Sequence, residues 1–143
     1  MAFLKQLIQK VALLFLSKEK KEVIKTLQDY ADAFMTFKSE NVLGYLDRPL
    51  TFLSDDGPHI YSNDEEITVF LQGYMDELQS KEYARDDLSH FHLKTLTPTV
   101  AVTSFSLVRY NKDNQPFNNM GAMYTWRKTG GSWRCIIGVL LSH

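Results

Sequence analysis

The stretch from Gly121 to His143 limits the fold more than any other part of the chain. Two runs of β-branched and aromatic residues flank Thr129-Gly130-Gly131. Glycine reaches the positive φ that a tight hairpin turn needs, so the two runs are expected to be paired strands. In the second run Trp133, Cys135, Ile137, Val139 and Leu141 share one face, and Ile136 and Leu140 share the other. A strand that is apolar on both faces has something packed against each, which puts this hairpin in the middle of the fold. A turn over Thr129–Gly131 pairs Tyr124 and Trp126 with Ile136 and Arg134 on an inner face and leaves the Trp133 set outside.

Length and charge narrow the function classes. A chain of 143 residues is expected to be one domain with a proper core. Its 16 basic and 17 acidic residues give a net charge of −1, which argues against a general nucleic-acid binder. The lone Cys135 excludes an intramolecular disulfide and reads as a buried, inert thiol in an apolar strand. No apolar run approaches the ~20 residues of a membrane span. In residues 1–16, Leu4, Leu7, Ile8, Val11, Leu14 and Phe15 recur at helical spacing. Lys10 interrupts the apolar part and no small-residue cleavage site follows, so this is an amphipathic helix and not a signal peptide. It packs on the domain or on a partner chain, with contact to a membrane surface as the other reading. A cytoplasmic protein is expected, with residues 17–143 as the domain proper.

Ser17 is placed to cap a helix whose stripe is Val23, Ile24, Leu27, Tyr30, Ala31 and Phe34. The run KEKKE before that stripe faces water. Ser39 caps a short helix carrying Val42, Leu43 and Leu46, and Pro49 ends it. Leu50–Ser54 and His59–Tyr61 read as a short pair of strands around Asp55-Asp56-Gly57. Ser62 and Glu65 have capping-box spacing ahead of a helix with Ile67, Phe70, Leu71, Tyr74, Met75 and Leu78 on one side. Beyond Tyr83 the period becomes alternating, through four long strands, roughly 85–95, 99–110, 117–127 and 132–142. Helices first and a meander after predict an α+β fold with an antiparallel sheet.

This order of elements, with DYADAFMTFKSENVLGYLDRPLTFLSDDG near the start and YTWRKTGGSWRCIIGVLLSH at the end, resembles the nuclear transport factor 2-like superfamily, in particular its SnoaL-like branch. The resemblance covers about Ser17 to His143 and implies a curved sheet wrapped around helices into a cone-shaped cavity (a cystatin-like roll). It also implies dimers formed through the outer sheet face. Ketosteroid isomerase shares that fold. Carried over from it, the first-helix tyrosine falls on Tyr30, the catalytic base on Ser54, and the carboxylic acid donor near Tyr124. Serine is too weak a base at neutral pH to take a substrate proton unaided, so the isomerase mechanism does not transfer.

The residues that follow from this frame are a ligand-binding set of Tyr30, Ser54, Ser104, Ser106, Tyr110, Tyr124 and Trp126, with no catalytic residue assigned and no cofactor or metal required. Ser104, Ser106 and Tyr110 are put on the inner face by the family's alternation. Arg109 then stands outside as a solvated charge, and His90 and His92 share a solvated strip with Asp86 and Lys94. Tyr45, Tyr61 and Tyr74 read as aromatic core, or as the mouth of the cone. Three functions stay open: a small-molecule binding domain without chemistry, a SnoaL-like isomerase, cyclase or hydrolase using an unplaced acid-base group, and a non-enzymatic association domain. A homodimer is expected through Phe105, Leu107, Trp133, Cys135, Ile137, Val139 and Leu141, since so large an apolar patch is unusual on a monomer.

Overall fold

Helix α1 (Lys18–Phe34) begins where Ser17, in extended backbone, accepts a hydrogen bond from the Lys20 N–H at 3.3 Å. The structure, a computed structural model, describes residues 16–143. The expected amphipathic first helix and its boundary therefore lie outside the described residues. Val23, Ile24, Leu27 and Ala31 form the buried stripe of α1, at the spacing the sequence shows.

The connection that follows differs from expectation. Two single turns of 3-10 helix, Ser39–Asn41 and Leu43–Tyr45, replace the one short α-helix. Ser39 is not a cap: its N–H donates to Gln72 Oε1 at 3.1 Å, and Gln72 Nε2 donates to the Phe37 carbonyl at 3.2 Å. One long side chain from the next helix thus satisfies the loop's backbone, which removes the need for a capped helix. Strand β1 (Leu46–Ser54) starts four residues earlier than Leu50 and runs through Pro49. Proline is tolerated there because β1 has no ladder partner at that residue; its pairing with β2 (Gly57–Tyr61) starts at Leu50.

Helix α2 (Asp64–Ser80) is capped by Asn63 and not by Ser62. Asn63 Oδ1 accepts from the Glu66 N–H at 2.9 Å, while Glu66 Oε2 accepts from the Ser62 N–H at 2.6 Å. The cap sits one residue later than the expected spacing, because asparagine caps as well as serine does, and Glu66 reaches back to the N–H before the cap and not to the cap's own.

Strands β3 (Tyr83–Thr97), β4 (Val100–Asn111), β5 (Pro116–Thr129) and β6 (Ser132–Ser142) complete one curved six-stranded sheet in the order β2-β1-β6-β5-β4-β3. β5 and β6 are its two central strands, as the two-sided apolar pattern requires. All neighbours are antiparallel except β1 and β6, which run parallel. Both helices pack into one core with the inner face of the sheet, through Val23, Leu27, Ile67, Leu71 and Met75 against Leu107, Tyr124, Trp126 and Leu140.

Two bulges decide which side chains reach that face. In β6, Thr125 pairs with Ile137 and Trp126 with Cys135, so Ile136 is the extra residue. Before it Trp133 and Cys135 point inward and are 4% and 2% exposed; after it Gly138 and Leu140 point inward. The expectation that Trp133 and Cys135 lie outside is therefore corrected, while Ile137, Val139 and Leu141 do stand on the outer side with Met123. The turn is also shorter than expected. Thr129 pairs with Ser132, leaving Gly130 and Gly131 at φ +59 and +83. In β3, two residues, His90 and Phe91, stand where β4 has one, with His90 at φ 54. The bulge turns Phe91 and Leu93 toward the core and breaks the regular strip expected for Asp86, His90, His92 and Lys94.

Candidate functional site

The inner face of β4 is Ala101, Thr103, Phe105, Leu107 and Arg109, all buried. This corrects the expected alternation by one residue. Thr103 pairs with Tyr124 on the inner side, and Ser104 pairs with Met123 on the outer side. Ser104, Ser106 and Tyr110 are thus half-buried on the face away from the helices, where the Arg85 guanidinium lies 4.0 Å over the Tyr110 ring. Phe105 and Leu107, expected on the outside, line the cone instead.

A cavity of about 70 Å³ lies between α1, α2 and the sheet. Its wall is aromatic, with Tyr30 and Phe34 from α1, Phe70 and Tyr74 from α2, and Phe105 and Tyr124 from the sheet. Tyr30 and Tyr124 come together, with ring centroids 5.8 Å apart. Burial pushes both hydroxyls well above their ordinary pKa, so both stay neutral. Trp126 stands behind them, fully buried, with its Nε1–H donating to Thr103 Oγ1 at 3.0 Å. It props the two tyrosine rings, at 6.2 and 6.0 Å between centroids, and does not line the cavity.

Ser54 does not join this group. It lines a wider cleft of about 430 Å³ with Asp55, Asp56, Glu77, Lys81, Asn118 and Ser142. Phe52, Phe70, Tyr74 and Leu140 border both spaces, so the cleft is the outward continuation of the cavity. Asp55 is engaged there by Ser142, whose N–H and Oγ–H donate to it at 3.0 and 2.6 Å and hold its carboxyl below the ordinary value.

Asp86 and Arg109 are the charged residues of the cavity wall, and sequence reasoning missed both. They face each other across the β3–β4 ladder and are only 7% and 5% exposed. Arg109 Nη1 lies 4.0 Å from Asp86 Oδ1, within ion-pair range but beyond hydrogen-bond length. The guanidinium is 5.2 Å from the ring centroid of Tyr83 and 5.5 Å from that of Tyr74, close enough for cation–π attraction to both. Tyr83 also favours the charged form of the Asp86 carboxyl. Asp86 Oδ1, Arg109 Nε and Arg109 Nη1 have no hydrogen-bond partner among the described residues. Burial raises the Asp86 pKa, against the opposing pull of Arg109 and Tyr83. The available signal was the bulk of the two β4 sets: Phe105 and Leu107 fill a core better than Ser104 and Ser106, and Arg109 shares their parity.

The chain belongs to the family described as NTF2-like protein (DUF6841), whose pattern it matches over residues 19–142. It is similar to an NTF2-like protein with a cystatin-like fold from Novosphingobium aromaticivorans, at TM-score 0.71 and 13% identity over 96% of this chain and 88% of that one. A domain of unknown function with a cystatin-like fold from Nostoc punctiforme gives TM-score 0.71 and 13% identity, over 90% and 80% of the two chains. A putative calcium/calmodulin-dependent protein kinase II association domain from Xanthomonas campestris gives TM-score 0.65 and 12% identity, over 85% and 86%. Identities this low show a shared fold alone. No curated protein matches the chain.

Proposed function

We propose that this NTF2-like domain binds one small amphipathic molecule in its cone and carries out no chemistry on it. The observation that supports this is the aromatic cavity between Tyr30, Phe34, Phe70, Phe105 and Tyr124, which continues into the wider cleft past Phe52 and Leu140. Apolar concave sites with a few convergent polar groups are the usual form of a small-molecule site. No helix among the described residues is long and apolar enough to cross a membrane.

Titration with toluene, followed by backbone and side-chain NMR, tests the reading. Saturable shifts at Tyr30, Phe105 and Leu140 are expected; shifts confined to the outer sheet face, or none, overturn it. One observation favours an enzymatic second reading. Asp86 is a buried carboxyl with a raised pKa, a property acid-base catalysts share. Binding is preferred because Arg109 and Tyr83 both engage that carboxyl and make it a weaker base.

For assembly we propose a twofold dimer packed sheet to sheet. Its surface is the outer side of β5 and β6, where Met123, Ile137 and Leu141 are 36–38% exposed beside Val139. This is a smaller patch than the sequence suggested, since Phe105, Leu107, Trp133 and Cys135 have left it for the core.

A further inference from the structure

We infer that the molecule bound in the cone carries an uncharged head with a hydrogen-bond donor beside an acceptor, such as a primary amide or lactam, and that Asp86 and Arg109 read it. The inference rests on the binding function proposed above and adds the chemical class of the ligand. Three polar atoms carry it. Asp86 Oδ1, Arg109 Nε and Arg109 Nη1 lie on side chains more than nine-tenths buried in the cavity wall, and none has a hydrogen-bond partner among the described residues. Buried polar groups are nearly always paired, so three orphans on the two charged residues of the cavity wall call for a partner. That partner must offer both functions at once. Carboxylate oxygen only accepts, and guanidinium nitrogen only donates. At 4.0 Å the two side chains are too far apart to satisfy each other. The neighbours leave this demand open: no side chain among the described residues reaches Asp86 Oδ1, and Tyr74 and Tyr83 offer the guanidinium their ring faces.

Charge then selects among heads. Asp86 and Arg109 together cancel, so the pair offers no net attraction to an ion. The cleft through which a ligand enters carries Asp55, Asp56 and Glu77 against Lys81, and Lys81 is already tied to Glu77 at 3.1 Å. A head of either charge loses its hydration on burial with no net charge to offset the loss, and an anion also meets the acidic mouth. A neutral head meets neither penalty. Size agrees. The cavity of about 70 Å³ suits a head of a few atoms, while the cleft of about 430 Å³ takes an apolar body between Phe52, Phe70 and Leu140.

The test is a set of NMR titrations of the full chain at neutral pH with three probes sharing one ring: benzamide, benzoate and toluene. Benzamide is expected to bind at least tenfold more tightly than either other probe and to shift the Arg109 Nε–H resonance. Removing one member of a buried ion pair leaves an uncompensated charge and risks unfolding, so the variant is the double replacement Asp86→Leu, Arg109→Met. It should bind benzamide at least tenfold more weakly than the wild type and lose the preference for benzamide over toluene. Benzoate binding as tightly as benzamide overturns the inference, because the site then reads a carboxylate. Benzamide binding no better than toluene, or undiminished in the double variant, also overturns it and leaves the apolar cavity standing. Failure of all three probes removes the binding function as well.

Discussion

Glu22 shows how much a single side chain can do out of sight of its neighbours in sequence. Its Oε2 accepts hydrogen bonds from Trp133 Nε1 and Lys128 Nζ, both at 2.9 Å, and so ties α1 to the central hairpin. These bonds, the one from Trp133 first, hold its carboxyl below the ordinary value of 4.5. A depressed carboxyl stabilises the fold above its unfolded pKa, and that contribution is lost as pH falls through the lower folded value. Glu22→Gln should therefore be less stable at neutral pH and should flatten the acid limb of the stability curve below about pH 4.5. Chemical denaturation at a series of pH values checks it; a parallel acid limb in the variant contradicts it. The run KEKKE reads as a solvated face, and Lys18 and Lys21 are exposed as that requires. Glu22 departs from it because its partners lie 106 and 111 positions away, a separation that no local pattern encodes.

At the scale of elements, legibility followed regularity. The stripes of α1 and α2 and the inward set of β5 were readable because their periods run unbroken. In β6 the bulge at Ile136 changes parity halfway along, so one half of its alternation was read correctly and the other was inverted. In β4 the period is regular but its phase was taken from a family pattern, and the whole inner set, Arg109 included, was displaced by one. A one-residue slip moves every side chain to the opposite face. Gly138 is a further consequence of β6's second half. A Cβ there would lie 2.6 Å from the Phe52 ring, which crosses it from the neighbouring β1. Gly138→Ala should cost about 1–3 kcal/mol through overpacking and push Phe52 from the boundary between cavity and cleft. Adding Phe52→Leu should restore most of that loss in a thermal melt, and a single variant as stable as the wild type would show that the ring is not confined.

The whole molecule is a sheet with two different sides. The inner side holds the helices and the cavity; the outer side of β5 and β6 presents Met123, Ile137 and Leu141. Ile137→Asp should convert a wild-type dimer to monomer in sedimentation velocity while leaving the helical signal in circular dichroism intact. A wild type that sediments as a monomer contradicts the dimer. The cavity itself is the larger claim, and toluene is its simplest probe. Leu107 is buried in the cavity wall, so Leu107→Trp should fill the space at a cost of about 1–3 kcal/mol. NMR titration of wild type and variant side by side is the measurement to make. The account predicts saturable shifts at Tyr30, Phe105 and Leu140 in the wild type and their loss in folded Leu107→Trp. Equal shifts in both proteins, or none at those residues in the wild type, would contradict it.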